Sequence, residues 1–368
     1  MSPKERVKAV YEGKVPDQVP LMLDISHWYK ANYNVKFDLS GYKGVDRELV
    51  ELHKKVNAVC YCEMGAFFDV YYDDPDIEVK SWTDEKGVFR TQLSCPLGKL
   101  YEERVFEPAS YSYNIRKHLL DSVRDFEIVR YIFDRAKCRP RFDRMNDWKQ
   151  ALGELGYVYF QLPYSGLGYL ISRNFGVENT CLAMFDSPDE VQELINSVNN
   201  WGMRILDQVI DGPFETALIS DNIDGNVQNP AMFRKYSMGY YTYLANELHK
   251  KGKYLAVHVD GEMRGILSVL NECGVDCIDA ATPAPMFSLT PDQARQQAGN
   301  MILSGGIPAN VFGSQADEAE FDQCVKRWLD TRLTSPRLIM AAGDQVPTDA
   351  PFWKIERLCG LVERFGKY

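Results

Sequence analysis

Short apolar runs alternate with segments of helical period along most of this chain, and that alternation limits the fold more than any other feature. The runs lie at Val19–Leu23, Tyr157–Leu162, Thr216–Ser220, Tyr254–His258, Cys277–Ala281, Met301–Ser304 and Leu338–Ala342. Between the later ones, apolar residues recur with helical spacing over Pro188–Ile210, Pro230–Lys250, Arg264–Glu272, Pro291–Gln297 and Glu318–Arg332. Asp186-Ser187-Pro188 and Thr290-Pro291 read as helix starts, a capping residue with proline in the first turn. Gly252, Gly274 and Gly299 stand where helices give way to strands. Strand and helix repeating in this way predict a parallel sheet, and seven or eight such units close naturally into a (β/α)8 barrel. An open doubly wound sheet is the competing architecture, but no glycine-rich phosphate fingerprint follows the first strand.

One stretch breaks the alternation. Ile77–Trp82, the turn Asp84-Glu85-Lys86-Gly87 and Val88–Leu93 read as a β-hairpin, which Leu100–Val105 extends. The expectation is an antiparallel insertion over about residues 65–115, inside a single domain spanning residues 1–368. A lid, a partner surface and a structural cover are its three possible roles, with the cover as the default.

A chain of 368 residues that is 45% hydrophobic can bury a sizeable core and is not disordered as a whole. Its net charge of -10 argues against nucleic acid or an anionic membrane as partner. The start, Met1-Ser2-Pro3-Lys4-Glu5-Arg6, has no apolar signal segment, and the nine cysteines are scattered, which fits a reducing cytoplasm. Neither Cys60-Tyr61-Cys62, followed by Glu63, nor Cys273 with Cys277 has the paired spacing of a structural zinc site. Core packing is the better reading of Cys273 and Cys277, and Cys60 and Cys62 keep only a small place as chemical groups.

In a parallel barrel the C-terminal strand ends face the functional mouth. The first run delivers Asp24, then Ser26-His27-Trp28-Tyr29; the second delivers Pro163-Tyr164-Ser165-Gly166; the third delivers Asp221-Asn222-Ile223-Asp224-Gly225. The fourth ends in His258-Val259-Asp260-Gly261, and the last leads into Gly343-Asp344-Gln345. Strand alternation would turn His258 and Asp260 to the same side, with Asp344 as a third ligand. These three suit a divalent metal such as zinc with an open coordination position. A histidine bonded to a neighbouring aspartate, with no metal, fits the same residues equally well. The strand ends supply no arginine, so a polyanion would find no clamp there.

The segment Arg6–Pro20 resembles the N-terminal signature of the uroporphyrinogen decarboxylase superfamily, which includes zinc-dependent, corrinoid-linked methyltransferases. Phe185–Val191, the His258 strand, Asn271–Asp276, Leu303–Ile307 and Val362–Gly366 extend the likeness over nearly the whole chain. The resemblance implies a (β/α)8 barrel with its site at the strand C-termini. True decarboxylases carry an arginine-rich segment after the first strand, where this chain reads Asp24-Ile25-Ser26-His27-Trp28-Tyr29-Lys30. The methyltransferase branch carries a His-x-Cys pair and a Gly-Cys pair, where this chain has His258-Val259-Asp260 and Gly343-Asp344. The histidine is kept and both thiolates have become carboxylates.

Carboxylates leave a metal harder and more Lewis acidic than thiolates do, better suited to an ether oxygen than to a thiol. The resemblance then implies methyl transfer from a methoxylated, aromatic small molecule to cob(I)alamin on a separate corrinoid protein. In that scheme His258, Asp260 and Asp344 hold Zn²⁺, and Asp221 or Asp224 gives a proton or orients the substrate. Asp24, His27, Trp28, Tyr164 and Gln345 shape the pocket, with Trp28, Tyr29 and Tyr164 as ring-stacking candidates. Loop capping is the structural reading of Asp221 and Asp224. A metal-free decarboxylase or lyase of a small carboxylate is the alternative function, and a binding protein that has lost its chemistry is the third. Whether the chain forms a homodimer stays open.

Overall fold

The computed structural model of the 368-residue chain describes residues 1–39, 41–61 and 67–368, so Cys62 and Glu63 lie outside the described residues. Six strands, Phe160–Leu162, Thr216–Ile219, Tyr254–His258, Cys277–Ala281, Ile302–Ile307 and Leu338–Ala342, form one sheet in sequence order. Every pairing is parallel. Helices connect the strands, among them Pro188–Val209, Met238–Lys250, Pro291–Ala298 and Glu318–Asp330. Nearly every strand residue is buried, as a parallel sheet covered on both faces requires. Among the described residues no helix is long and apolar enough to cross a membrane.

The run Val19–Leu23 is shorter as a strand than expected, yet it occupies a strand's place. Met22 N–H donates to the Met340 carbonyl and Met340 N–H to that of Pro20, which attaches the run to one sheet edge. Leu23 N–H donates to the Val59 carbonyl and Val59 N–H to that of Leu21. Tyr159 N–H then donates to the Tyr61 carbonyl, beside the opposite edge strand. Two short extended segments therefore link the two edges of the six-stranded sheet.

The helix expected over Pro230–Lys250 is two helices, Pro230–Tyr236 and Met238–Lys250, separated at Ser237. Thr290 caps Pro291–Ala298 as expected, its side chain accepting from Gln293 N–H while Gln293 reaches back. The expected hairpin forms from Glu78–Thr83 and Phe89–Cys95, with Gly98–Glu107 beside it. A fourth strand, Ser112–Lys117, was not foreseen. In the turn, the Asp84 carboxylate accepts from the N–H groups of Lys86 and Val88. The excursion also runs further than residue 115, because Phe68–Tyr71 pairs antiparallel with Lys137–Pro140.

One face of the parallel sheet is filled by Leu218, Ala256, Cys277, Ile302 and Ile339 together with Met22 and Val59. The helix Pro3–Tyr11 packs Val7, Val10 and Tyr11 into the same cluster, and the Tyr11 and Tyr159 hydroxyls meet at 2.7 Å. This packed layer is the floor on which the polar residues at the strand ends stand.

Candidate functional site

Alternation along Tyr254–His258 puts His258 on the face that Ala256 fills; along Cys277–Ala281 it puts Asp279 on the face of Cys277. The parallel register sets His258 opposite Asp279. Their side chains meet, His258 Nδ1 donating to Asp279 Oδ2 at 2.9 Å, with side-chain exposures of 6% and 5%. The carboxylate fixes the proton on Nδ1 and turns Nε2 toward Asp344 Oδ1, 3.7 Å away.

Asp344 follows the strand Leu338–Ala342, deep at the strand ends yet with 38% of its side chain open to solvent. Surrounding protein disfavours its charge and pushes its pKa up to about 6; the His258 imidazole opposes this, and Asp260 and Asp24 add to it. Four acidic or basic side chains therefore act on one spot. Asp24 is tied to the same loop: its carbonyl accepts from Val346 N–H at 2.8 Å, and its Oδ1 accepts from Ser26 N–H at 2.8 Å.

Asp260 stands two residues past His258, near enough to Asp344 for its charge to raise that carboxyl's pKa. The strand Tyr254–His258 leads into Val259, whose N–H still donates to the Asp279 carbonyl, and Asp260 is exposed between the buried Val259 and Gly261. Asp221 is brought to the strand ends but sealed: it is fully buried, accepts from Ser165 N–H at 2.8 Å and from the Tyr241 hydroxyl at 2.6 Å, and burial raises its pKa. Asp224 ties two loops, accepting from Asn226 N–H at 2.8 Å and from Glu262 N–H at 3.4 Å. Both carboxylates accept hydrogen bonds from loop backbone.

Trp28 and Tyr29 need correction as ring-stacking groups. Ser26–Asn32 coils into a helix immediately after the first run, and both side chains turn into packing. The Trp28 indole donates to the Ala350 carbonyl at 2.7 Å, and the Tyr29 hydroxyl donates to Glu48 at 2.9 Å. His27 is half-buried with its ring 4.5 Å from that of Phe37, and burial lowers its pKa. Gln345 is half-buried beside Asp344, and Tyr164 is half-buried at the end of the strand Phe160–Leu162. Asp279 escaped the sequence reading altogether, although a carboxylate in the apolar strand Cys277–Ala281 demands a partner.

Two ligands of one tetrahedral zinc ion stand about 3.4 Å apart, given bonds of about 2.1 Å. The 3.7 Å between His258 Nε2 and Asp344 Oδ1 is close to that, and Asp279 backs the imidazole as metal-bound histidines are usually backed. The pair fits a divalent cation in kind and in spacing. Among the described residues no three side chains already gather as a complete metal cluster.

A cavity of about 400 Å³ opens at the end of Phe160–Leu162. Gln161, Tyr164 and Arg173 line one side; Leu93, Glu102 and Arg104, from the antiparallel excursion, line another. The excursion is therefore a wall of a pocket as well as a cover.

The sequence matches the family described as uroporphyrinogen decarboxylase (URO-D) over residues 160–365, more than half of the chain. No curated protein matches it. In structure it resembles a methyltransferase from Methanosarcina mazei, with a TM-score of 0.65, 10% identity and 99% of both chains covered. A GH18 chitinase from Flavobacterium johnsoniae (TM-score 0.32, 11% identity, 65% of this chain and 91% of that one) is too distant to bear on the reading. The same holds for Dispersin B, at a TM-score of 0.35 and 12% identity over 95% of this chain and 99% of that one.

Proposed function

The chain belongs to the uroporphyrinogen decarboxylase family, and from that premise we propose that it is a methyltransferase of the family's corrinoid-linked branch. In this reading the chain is one domain whose sheet, with the segments at Val19–Leu23 and Ala58–Tyr61, closes as a (β/α)8 barrel. The hydrogen bonds linking the two sheet edges support the closure. The reaction moves a methyl group from a methoxylated compound to cob(I)alamin carried by a separate corrinoid protein. The carbon–oxygen bond breaks, a cobalt–carbon bond forms, and the released oxyanion takes up a proton.

The observation that carries the reading is the row Asp279–His258–Asp344, in which His258 Nδ1 meets Asp279 and Nε2 faces Asp344, a carboxylate where the methyltransferase branch has a thiolate. His258, Asp344 and Asp260 would hold one divalent ion, most simply zinc. When bound, it supplies a Lewis acid for the ether oxygen. Asp279 keeps the Nδ1 proton in place, so Nε2 is the nitrogen that would face the metal. Asp221 and Asp224 hold the loops that frame the mouth and take no proton-transfer role. The fold shared with the Methanosarcina mazei methyltransferase supports this reading at the level of architecture.

The test mixes the protein with reduced corrinoid protein and a panel of methoxylated compounds, following methylcobalamin absorbance. Methylation from an ether supports the proposal. Transfer from an amine or a thioether, with none from any ether, contradicts it. The metal-free lyase is favoured by one observation, the raised pKa of Asp344, which would let that carboxyl serve as an acid near neutral pH. Carbon dioxide released from a small carboxylate by metal-stripped protein would select that alternative.

A further inference from the structure

We propose that the cavity between the antiparallel excursion and the strand Phe160–Leu162 is a subsite for the carboxylate of a flat, unsaturated substrate. The inference rests on the methyl-transfer reading only for what happens at the substrate's other end.

The cavity holds about 400 Å³, enough for one ring with its substituents, and Phe133, Leu93, Tyr164 and Tyr169 make its walls apolar and aromatic. Two arginines reach it although the strand ends supply none: Arg104 comes from the excursion and Arg173 from the helical turn Tyr169–Asn174. Arg104 is neutralised locally by two hydrogen bonds to Glu102, both 2.8 Å. Arg173 is not. Its guanidinium lies 5.6 Å from the centre of the Tyr164 ring, and among the described residues no carboxylate or carbonyl accepts from it. Trp201, another lining residue, buries its indole N–H without an acceptor among the described residues. The cavity thus carries one uncompensated positive charge and a second unmet donor inside an aromatic wall. A carboxylate on a ring answers the charge and the wall: it accepts from the guanidinium and neutralises it, and the ring stacks on the aromatic walls.

Register places one lining residue of the cavity, Pro163, level with His258. Leu162 pairs with Ile219, and Ile219 with Val257, so Pro163 and His258 stand at one level, one residue further along. Two strand spacings separate them, about 10 Å. A single ring with a carboxylate at one end and a methoxy group at the other is of that scale.

The experiment measures binding by the full-length protein, using calorimetry with 4-methoxybenzoate, benzoate and methoxybenzene. Both acids should bind, and methoxybenzene about tenfold more weakly or worse, since a hydrogen bond to a charged group is lost. Arg173→Gln should weaken both acids about tenfold or more and leave methoxybenzene unchanged. Arg173→Lys should recover part of the loss, and Thr91→Trp, which fills the cavity from the excursion side, should weaken all three. Equal binding of the acids and the neutral ether, no binding of either acid, or acid binding unchanged in Arg173→Gln overturns the subsite. Binding needs neither metal nor corrinoid protein. Acids that bind through Arg173 but never donate a methyl group would therefore uphold the subsite and sink the proposed reaction.

Discussion

Replacing Asp221 with alanine should cost stability before it costs chemistry. Its carboxylate is fully buried and accepts from Ser165 N–H and from the Tyr241 hydroxyl, so it joins the loop after Phe160–Leu162 to the helix Met238–Lys250. Alanine leaves both donors buried without an acceptor, at about 1–3 kcal/mol each. Removing a desolvated charge relieves part of that, so the net loss should be about 2–4 kcal/mol. Urea unfolding of wild type and variant at one pH reads the difference directly. Asp221→Asn keeps one acceptor oxygen and should fall between them. The pH dependence has a definite sign. Burial raises the Asp221 pKa, so its contribution is complete below the unfolded carboxyl value and is lost as pH rises through the folded one. The advantage of wild type over Asp221→Asn should therefore be largest in acid and narrow toward neutrality. An Asp221→Ala protein with an unchanged unfolding midpoint and no turnover would refute the positioning role and restore Asp221 as a proton donor.

Three further outcomes follow from single contacts. Asp279→Asn can place an amide N–H against His258 Nδ1 and shift the ring proton to Nε2, so zinc affinity in a chelator competition should fall about 10–100-fold. Gly306 has φ +115°, and a Cβ there would overlap the Trp328 indole, so Gly306→Ala should lose about 3 kcal/mol or more in urea unfolding. Lys354 is fully buried and donates to the carbonyls of Val311, Gly313 and Ala316 at 2.9, 2.5 and 2.9 Å. Lys354→Met should leave those acceptors bare and lose about 3 kcal/mol or more, read by the same unfolding assay.

The parallel strands were legible because each is a short apolar run between helix signals; Tyr254–His258, Cys277–Ala281 and Leu338–Ala342 carry the expected bounds. The first run was harder, since its pairing is confined to a few backbone bonds that depend on distant segments. His258 and Asp344 could be found because they end such runs. Asp260 lies just past the end of the same run, and its charge reaches Asp344. Trp28 failed because the residues after the first run form a helix, so the rim position became a packing position. Asp279 was hidden by its apolar neighbours, and only the register between two strands reveals its partner. Arg173 was hidden too, because a helical turn and a distant antiparallel sheet build the cavity that it enters.

The row Asp279–His258–Asp344 is the proposed metal centre. A crystal grown with zinc, with data collected on both sides of the zinc absorption edge, tests it most directly. One anomalous peak within bonding distance of His258 Nε2 and of the Asp344 carboxylate, absent in His258→Ala, is the predicted result. A peak elsewhere, or one that persists in His258→Ala, would contradict the account.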